Sequence, residues 1–321
     1  MIHGGIPWSF GKPNNIIKDF SVNLNPLGVP DFIKELINEA VRNEVYSFYP
    51  DDYRSLKIKI AEVFNVNPSY VGVFNGSTQA IKLLEPMVVP EPNFSEYNRL
   101  ESYYAIEKQD EFFYVLDKSF KKIITSNPVN PTGYCIPKKE IVNFLSSGNF
   151  LVLDEAFTDI SLCETSKDLV EEFDNLLIIS SFTKSLSVPG LRLGFTIGKQ
   201  AEKIEKLAYP WRIDSITYYV FSNVNPNEVR TYFTKSKSVV DNLIQKYMSL
   251  LKGVKKYKTT APYILVEFNK PSSEVNKILN LRGYAIRTPQ GFKGLRATHA
   301  RLALRFDIDS LYEELVMENL I

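Results

Sequence analysis

Short apolar runs separated by polar, turn-forming stretches recur along the chain up to about residue 200. They predict buried strands at residues 70–74, 122–125, 150–153, 176–180 and 193–197. Helical spacing lies between several of them, for example at residues 137–147 and 166–173. Strands that alternate with helices predict an α/β fold with a mainly parallel sheet covered on both faces. Ligands of such sheets bind beyond the carboxyl ends of the strands.

The two ends of the chain depart from this rhythm. Residues 1–28 are rich in Gly, Pro and Asn and predict an extended arm, after which Asp31 is expected to cap an amphipathic helix that runs to about Glu44. A long helical pattern covers residues 226–251, followed by predicted strands at 263–268, 284–287 and 300–306, a helix at 272–281 and a last helix from Asp309. We therefore expect a large domain over residues 29–225 and a small α+β domain formed by residues 226–321 with the arm.

Composition narrows the class of protein without naming an activity. The 321 residues are 44% hydrophobic and 23% charged, with a net charge of +1, so nothing favours a nucleic-acid or membrane-surface partner. No apolar stretch reaches the ~18 residues of a membrane helix, and the first ten residues lack a signal-peptide pattern. Cys135 and Cys163 are expected to be reduced, structural cysteines. The expectation is a cytoplasmic protein.

Two polar motifs follow predicted strands directly. Asn127-Pro128-Val129-Asn130-Pro131-Thr132-Gly133 predicts a rigid turn that aims the Asn130 amide, unless it is an ordinary loop. Asp154-Glu155 closes another strand. A carboxylate there requires a cation or several donors, and a protonated ring nitrogen, a metal or simple helix capping would each supply them.

Two further motifs offer a nucleophile and an anion site. Lys184 lies among hydroxyls in Ser180-Ser181-Phe182-Thr183-Lys184-Ser185, where desolvation would free its amine, and Arg192 follows in Gly190-Leu191-Arg192-Leu193-Gly194. Asn75-Gly76-Ser77-Thr78 stands between a strand and a helix. It predicts either a phosphate site at the helix start or simple capping by Ser77.

Together these motifs resemble those of the fold-type I pyridoxal 5′-phosphate (PLP) enzymes, the aspartate aminotransferase superfamily. The resemblance implies that Lys184 holds the cofactor as a Schiff base and that Asp154 pairs with its ring nitrogen. It implies cofactor contacts from Gly76, Ser77, Thr78, Asn130, Thr183 and Arg192, with Phe94 or Tyr97 stacked on the ring. It also implies a homodimer in which Tyr49 is lent to the neighbouring active site.

Two branches of this superfamily are similar to the chain: threonine-phosphate decarboxylase of cobalamin biosynthesis and histidinol-phosphate aminotransferase. Three features favour the decarboxylase. The opening His3-Gly4-Gly5 and the later Asn23 resemble its substrate contacts, Phe157 stands where aminotransferases usually carry Tyr, and Arg287 and Arg301 are spaced like its substrate-binding pair. Asn130 would also face the substrate. Residues 291–297 depart from the family pattern, and His299 is interpreted as structural or surface-exposed.

The resemblance therefore predicts decarboxylation of L-threonine O-3-phosphate to (R)-1-amino-2-propanol O-phosphate. Histidinol-phosphate aminotransferase, or a related aminotransferase, is the alternative. A non-catalytic ligand sensor built on the same fold is less well supported, because every cofactor-contact position carries a competent residue.

Overall fold

The computed structural model describes residues 4–5, 11–13 and 16–321. His3 therefore lies outside the described residues. The strands are β1 (Lys18–Asp19), β2 (Val71–Asn75), β3 (Met87–Glu91), β4 (Arg99–Tyr104), β5 (Ile106–Lys108), β6 (Glu111–Phe113), β7 (Lys122–Ser126), β8 (Phe150–Asp154), β9 (Leu176–Ser181), β10 (Leu193–Ile197), β11 (Lys255–Lys256), β12 (Tyr263–Glu267), β13 (Tyr284–Ala285) and β14 (His299–Ala303).

Ten α-helices connect or cover these strands in the described part of the chain. They are α1 (Asp31–Arg42), α2 (Arg54–Phe64), α3 (Gly76–Leu83), α4 (Lys138–Leu145), α5 (Phe182–Ser185), α6 (Ala201–Glu205), α7 (Ser215–Ser222), α8 (Pro226–Leu250), α9 (Ser272–Leu281) and α10 (Ile308–Met317). Short 3₁₀ helices occur at Val45–Ser47, Pro68–Tyr70, Thr158–Ile160 and Lys167–Glu171.

A seven-stranded sheet forms the centre of the protein, in the order β2-β10-β9-β8-β7-β3-β4. Its neighbouring strands are parallel except at β10, which runs antiparallel to both β9 and β2. Side chains alternate between the two faces: in β8, Leu151 and Leu153 join one apolar cluster, and Val152 joins another. The predicted α/β fold with a mainly parallel, doubly covered sheet is confirmed.

A second core lies beyond this sheet. It gathers around the antiparallel sheet β11-β12-β14 and contains Phe20 from the N-terminal arm. Helix α8 connects the two cores, because Val229 and Phe233 pack into the large one and Val240 and Tyr247 into the small one. The proposed domain boundary at residue 225 falls directly before this helix.

The predicted strands agree with the observed ones within a few residues, but several other expectations were wrong. Asp31 does not cap α1: Pro30 occupies the cap position, and Asp31 lies in the first turn. The stretch 166–173 forms a 3₁₀ helix rather than an α-helix. Strands β3 and β4 and helix α2 were missed. Strand β4 has no fully buried residue, so it lacks the apolar run that marks the other strands of this sheet.

The expectation of two reduced cysteines was also wrong. Cys135 and Cys163 form a disulfide, with their Cα atoms 5.5 Å apart. Parallel pairing of β7 with β8 brings the segments after these strands together, although 28 residues separate the cysteines in sequence. That proximity comes from the sheet, so sequence spacing could not reveal it. Among the described residues, no helix combines the length and apolar character that a membrane crossing requires.

Candidate active site

The strand register brings the four sequence motifs to one edge of the sheet. Ser126, the last residue of β7, pairs with Asp154, the last residue of β8, so the turn that begins at Asn127 lies beside the Asp154 carboxylate. Strand β9 ends at Ser181, immediately before the helix that carries Lys184. All three strands are parallel, so their carboxyl ends meet at this edge.

The antiparallel strand β10 positions Arg192 at the same edge of the sheet. Its first residue, Leu193, pairs with Asn75 at the end of β2, and Gly194 pairs with Ser181. Arg192, which precedes this strand, therefore lies next to the start of α3. Because β10 runs antiparallel to its neighbours, its amino end lies at the edge where the parallel strands end. Arg192, which precedes β10, therefore lies among residues that follow the other strands.

These residues surround a cavity of about 210 Å³. Its walls are formed by residues from both cores and from the arm: Gly4, Ser21, Val22, Asn23, Ser77, Thr78, Phe94, Ser95, Ser126, Asn130, Asp154, Ala156, Phe157, Thr183, Lys184, Arg192, Arg287, Phe292 and Arg301.

Lys184 lies in the short helix α5, where it is well placed to react as a neutral amine. The Ser181 hydroxyl caps this helix by accepting a hydrogen bond from the Thr183 N–H at 3.1 Å. Burial, reinforced by the positive charges of Arg192 and Arg301, lowers the pKa of Lys184 to about 8, against the opposing effect of Asp154. A substantial fraction of this amine is therefore neutral near physiological pH.

The buried carboxylate of Asp154 accepts two hydrogen bonds, one at each of its oxygens. Its Oδ1 accepts the Ala156 N–H at 3.1 Å, and its Oδ2 accepts the Tyr97 hydroxyl at 3.0 Å. Burial raises the pKa of Asp154 to about 6 despite these two hydrogen bonds. A cation bound beside it would reverse that shift, because an adjacent positive charge favours the ionised carboxylate.

One end of the cavity is lined by hydroxyl groups and a guanidinium. Ser77 and Thr78 lie in the first turn of α3, and Thr183 and Arg192 line the cavity with them. Gly76 has a φ of +73°, and a Cβ there would come within 2.4 Å of the Arg192 guanidinium. Only glycine allows Arg192 to lie so close to the helix start, where backbone N–H groups favour a phosphate.

Two neighbouring arginines also line the cavity. Arg287 and Arg301 are paired residues of an antiparallel bridge, so both guanidinium groups face the cavity. The Arg301 guanidinium donates to the side-chain oxygen of Asn130 and to the Ser21 carbonyl. Burial, with a contribution from the Arg287 charge, lowers the pKa of Arg301 to about 10. Two buried like charges make this part of the cavity wall suited to anions.

Unpaired polar atoms remain beside these arginines. Both side-chain amide atoms of Asn23, and Nε of Arg301, are buried without a hydrogen-bond partner among the described residues. Such atoms cost free energy unless a ligand or water pairs with them.

The structure brings together most of the predicted site residues. Those that line the cavity are Gly4, Asn23, Ser77, Thr78, Phe94, Asn130, Asp154, Thr183, Lys184, Arg192, Arg287 and Arg301. Phe94, and not Tyr97, faces the cavity, so Phe94 is the candidate for packing on a ring. Tyr49 lies outside it: the side chain is 79% exposed and packs on Trp211 at 4.9 Å between ring centroids.

Sequence reasoning missed several wall residues. Ser126 donates to Asn93 and accepts the Asn130 N–H at 2.9 Å, which fixes the turn. Its position directly before the Asn-Pro motif was the available signal. Phe292, which covers the arginine pair, lies in the segment that departs from the family pattern, and no local signal marks it.

Comparison with known proteins decides the family. Residues 15–257 match the family described as aminotransferase class I and II. This chain belongs to that family. It is accordingly a PLP-dependent enzyme, and the predicted cofactor is confirmed.

Individual relatives carry two different names. The chain is 29% identical to a putative threonine-phosphate decarboxylase of Caldanaerobacter subterraneus subsp. tengcongensis, over 92% of this chain and 90% of that protein. It shares 27% identity with a histidinol-phosphate aminotransferase of Thermoanaerobacter sp., over 90% of this chain and 87% of that protein. The structure of a histidinol-phosphate aminotransferase from Clostridium acetobutylicum superposes with a TM-score of 0.82 at 22% identity, covering 94% of this chain and 99% of that one, which establishes a shared fold.

The cavity fits PLP chemically. A buried lysine of lowered pKa can bind an aldehyde, and the hydroxyl and guanidinium groups near α3 can bind its phosphate. Asp154 can pair with a protonated ring nitrogen, and Asn130 can bond a ring hydroxyl. The cofactor would leave the arginine pair and Asn23 to the substrate.

Proposed function

We propose that this enzyme decarboxylates L-threonine O-3-phosphate to (R)-1-amino-2-propanol O-phosphate, a reaction of cobalamin biosynthesis. The observation that carries the proposal is the pairing of Arg287 with Arg301 in the wall of the cavity that Arg192 also lines. With Arg192 assigned to the cofactor phosphate, two guanidinium groups remain. They match a substrate that carries both a carboxylate and a phosphate.

The N-terminal arm supports the same substrate. Gly4 and Asn23 line the cavity next to Arg301, and Arg301 is tied to the arm through the Ser21 carbonyl at 2.9 Å. The unpaired amide of Asn23 offers its NH₂ group as a donor and its oxygen as an acceptor to a bound anion or hydroxyl. The arm thus contributes residues to the cavity wall, which supports the substrate contacts that the resemblance to the decarboxylases implies. His3 remains a proposed substrate contact.

Phe157 provides a third argument. It lines the cavity beside Asp154 and packs against the buried Tyr263, with 5.2 Å between ring centroids. A phenylalanine cannot donate the hydrogen bond that a tyrosine would give to a ring hydroxyl at this position, which leaves Asn130 as the donor there.

The chain's own residues account for substrate orientation and proton handling. When bound, PLP supplies an electron sink for the bond that breaks at the substrate Cα. Arg287, Arg301 and Asn23 would fix the carboxylate and phosphate so that the Cα–carboxylate bond stands perpendicular to the cofactor ring. Asp154 would hold the ring nitrogen protonated. Lys184 in its protonated, ammonium form would then deliver a proton to Cα after CO₂ leaves, and its amine would be left neutral.

Histidinol-phosphate aminotransferase is the second candidate. The same arginine pair also matches the two carboxylates of glutamate, the amino donor of such an enzyme. That reaction requires the Cα–H bond to be perpendicular instead, with Lys184 removing the proton. A small tilt of the bound substrate therefore separates the two activities.

Two assays on the PLP-loaded enzyme distinguish the candidates. One supplies O-phospho-L-threonine and measures CO₂ and the phosphorylated amino alcohol. The other supplies histidinol phosphate with 2-oxoglutarate and measures glutamate. CO₂ release that is lost in the Arg301→Gln variant is the expected result, and glutamate formation without CO₂ release would overturn the proposal.

We also propose a homodimer with shared active sites. Exposed aromatic side chains cluster around Tyr49: Phe48 is 71% exposed, Tyr209 77% and Trp211 60%. Single exposed apolar residues are ordinary on a protein surface, but a contiguous aromatic group indicates an interface. A second copy of the chain would bury this group and carry Tyr49 towards the neighbouring cavity.

A further inference from the structure

The segment between the two cavity arginines forms a loop that closes over them. We call residues 288–298 the Phe292 loop. It leaves Arg287 just after β13 and enters β14, which contains Arg301. Its position therefore bears on both guanidinium groups.

Phe292 and Gln290 provide the contacts on the cavity side. The Phe292 ring is 7% exposed, and its centroid lies 4.9 Å from the guanidinium carbon of Arg287 and 5.7 Å from that of Arg301. The Gln290 carbonyl accepts a hydrogen bond from Arg287 at 2.8 Å. Cation–π contact and this hydrogen bond restrict the rotamers of the arginines, and the ring excludes water from them.

Arg296 anchors the other end of the loop. Its guanidinium binds Glu107 of β5 through two hydrogen bonds of 2.6 and 2.8 Å, and Glu267 of β12 through two more of 2.6 and 2.8 Å. Glu107 belongs to the short β5–β6 hairpin, whereas Glu267 belongs to the small-domain sheet. Bidentate pairs of this kind fix geometry as well as adding energy.

Arg296, Glu107, Glu267 and His299 form one hydrogen-bonded network. Glu107, Glu267 and His299 lie close enough to suggest a metal site, but the Arg296 guanidinium bonds to all three. The Arg296 guanidinium keeps the pKa of Glu267 down at about 2 and that of Glu107 well below its usual range. Both carboxylates therefore remain charged at neutral pH, and the anchor is an ion-pair cluster.

Apolar packing holds the middle of the loop against the large core. Gly294 has a φ of +83°, and a Cβ there would come within 3.0 Å of the Tyr104 ring of β4. The neighbouring Leu295 packs against the large apolar cluster. The loop thus begins in the small domain and docks on the large one, next to the hairpin that carries Glu107.

We propose that Arg296 and Glu107, neither of which lines the cavity, are positioning residues for substrate binding. By clamping the Phe292 loop to the β5–β6 hairpin, they hold the Phe292 ring and the Gln290 carbonyl against Arg287 and Arg301. The inference rests on the proposed function only in assigning the substrate's anionic groups to that arginine pair. The cofactor end of the cavity does not depend on the clamp.

Steady-state kinetics of Arg296→Gln and Glu107→Gln test the clamp. Each variant is expected to raise KM for O-phospho-L-threonine about tenfold, the loss expected for one or two charge-assisted hydrogen bonds, with kcat at saturation and the visible cofactor band nearly unchanged. The effects of the two changes on KM should not add in the double variant, because both remove the Arg296–Glu107 contact. Arg296→Lys should recover part of the KM.

The matched control is Arg282→Gln. Arg282 forms a similar ion pair with Glu318 on the same domain, and its side chain is 54% exposed against 47% for Arg296. This variant should leave KM unchanged. An equal KM increase in the control, or no increase in the two clamp variants, would overturn the proposal, and so would a parallel fall in kcat and loss of the cofactor band.

A substrate-independent readout separates this inference from the choice of reaction. Amide hydrogen exchange in the PLP-loaded enzyme should accelerate at Phe292, whose N–H bonds to the Pro289 carbonyl at 2.9 Å, in the clamp variants and not in Arg282→Gln. Unchanged exchange would overturn the clamp even if the decarboxylase assay succeeds.

If O-phospho-L-threonine is not turned over, the same KM comparison is made with histidinol phosphate. If neither is turned over, competition by inorganic phosphate monitored through the cofactor band replaces KM, and equal affinity in all variants would overturn the proposal.

Discussion

The hydroxyl of Tyr97 lies 3.0 Å from Oδ2 of Asp154, and both groups are buried. Tyr97 thereby supplies one of the two hydrogen bonds that partly offset the cost of burying this carboxylate. Burial and the adjacent Asp154 charge raise the pKa of Tyr97 well above its usual range, so the phenol stays protonated and acts as a donor. Tyr97 is thus bonded to Asp154, whereas Phe94 lines the cavity.

Replacement of Asp154 by Asn should lower kcat about 10²- to 10³-fold, the usual cost of removing one preorganised electrostatic group. Without the carboxylate, a bound ring nitrogen is no longer held in its charged form. Tyr97→Phe is the matched control: it removes only one hydrogen bond to Asp154 and should cost about tenfold at most. Measurements of kcat on the PLP-saturated variants check that Asp154→Asn loses more activity than Tyr97→Phe. Equal losses in the two variants would contradict the assigned role of Asp154.

The pH dependence of cofactor binding should reflect the lowered pKa of Lys184. Only the neutral amine can bond to an aldehyde. The association rate of PLP with apoenzyme should therefore rise with pH and level off above about 8, where burial and the Arg192 and Arg301 charges place this pKa. Arg301→Gln removes one of these charges and should move the midpoint to higher pH. Stopped-flow absorbance measures it, and a rate still rising steeply at pH 10 would refute the shift.

Mixing two defective chains tests the shared active site. Lys184→Ala and Tyr49→Ala homodimers should each have little activity. In a mixed dimer one site receives both changes and the other receives neither, so unfolding and refolding an equal mixture should restore about a quarter of the wild-type sites. Activity assays before and after mixing give the result. No recovery, with dimers verified by light scattering, would argue against contribution of Tyr49 across an interface.

Loss of the Cys135–Cys163 disulfide should lower the free energy of unfolding. The bond closes a loop of 28 residues, for which the chain-entropy model gives about 3.5 kcal/mol. Urea titrations with and without reductant measure this difference. The Cys135→Ser/Cys163→Ser double variant should match the reduced protein and show no response to reductant. Identical curves for oxidised and reduced wild-type protein would contradict the expectation.

The sequence predicted the site best where a side chain lies at the carboxyl end of a strand or within four residues after it. Asn130, Asp154 and Lys184 each follow an apolar run, and parallel strands necessarily bring such residues to one edge. The same local logic places Ser77 at the start of α3. The resemblance to a known family then assigned roles that periodicity could not.

Other features depend on contacts between distant parts of the chain. Strand β10 looks like its parallel neighbours in sequence, but its antiparallel direction is what brings Arg192 to the site. Tyr97 meets Asp154 across 57 residues, and Cys135 meets Cys163 across 28. Phe292 lies in an irregular loop whose conformation is set by Arg296 and its two carboxylate partners. No local pattern encodes such pairings.

The most direct test of the account concerns the amine of Lys184. Purified wild-type protein mixed with PLP should develop the visible absorption band of the cofactor bonded to a lysine, and borohydride should trap the cofactor on the peptide containing Lys184. The Lys184→Ala variant should show neither the band nor turnover. A band of undiminished intensity in that variant, or trapping at another lysine, would contradict the assignment on which the site rests.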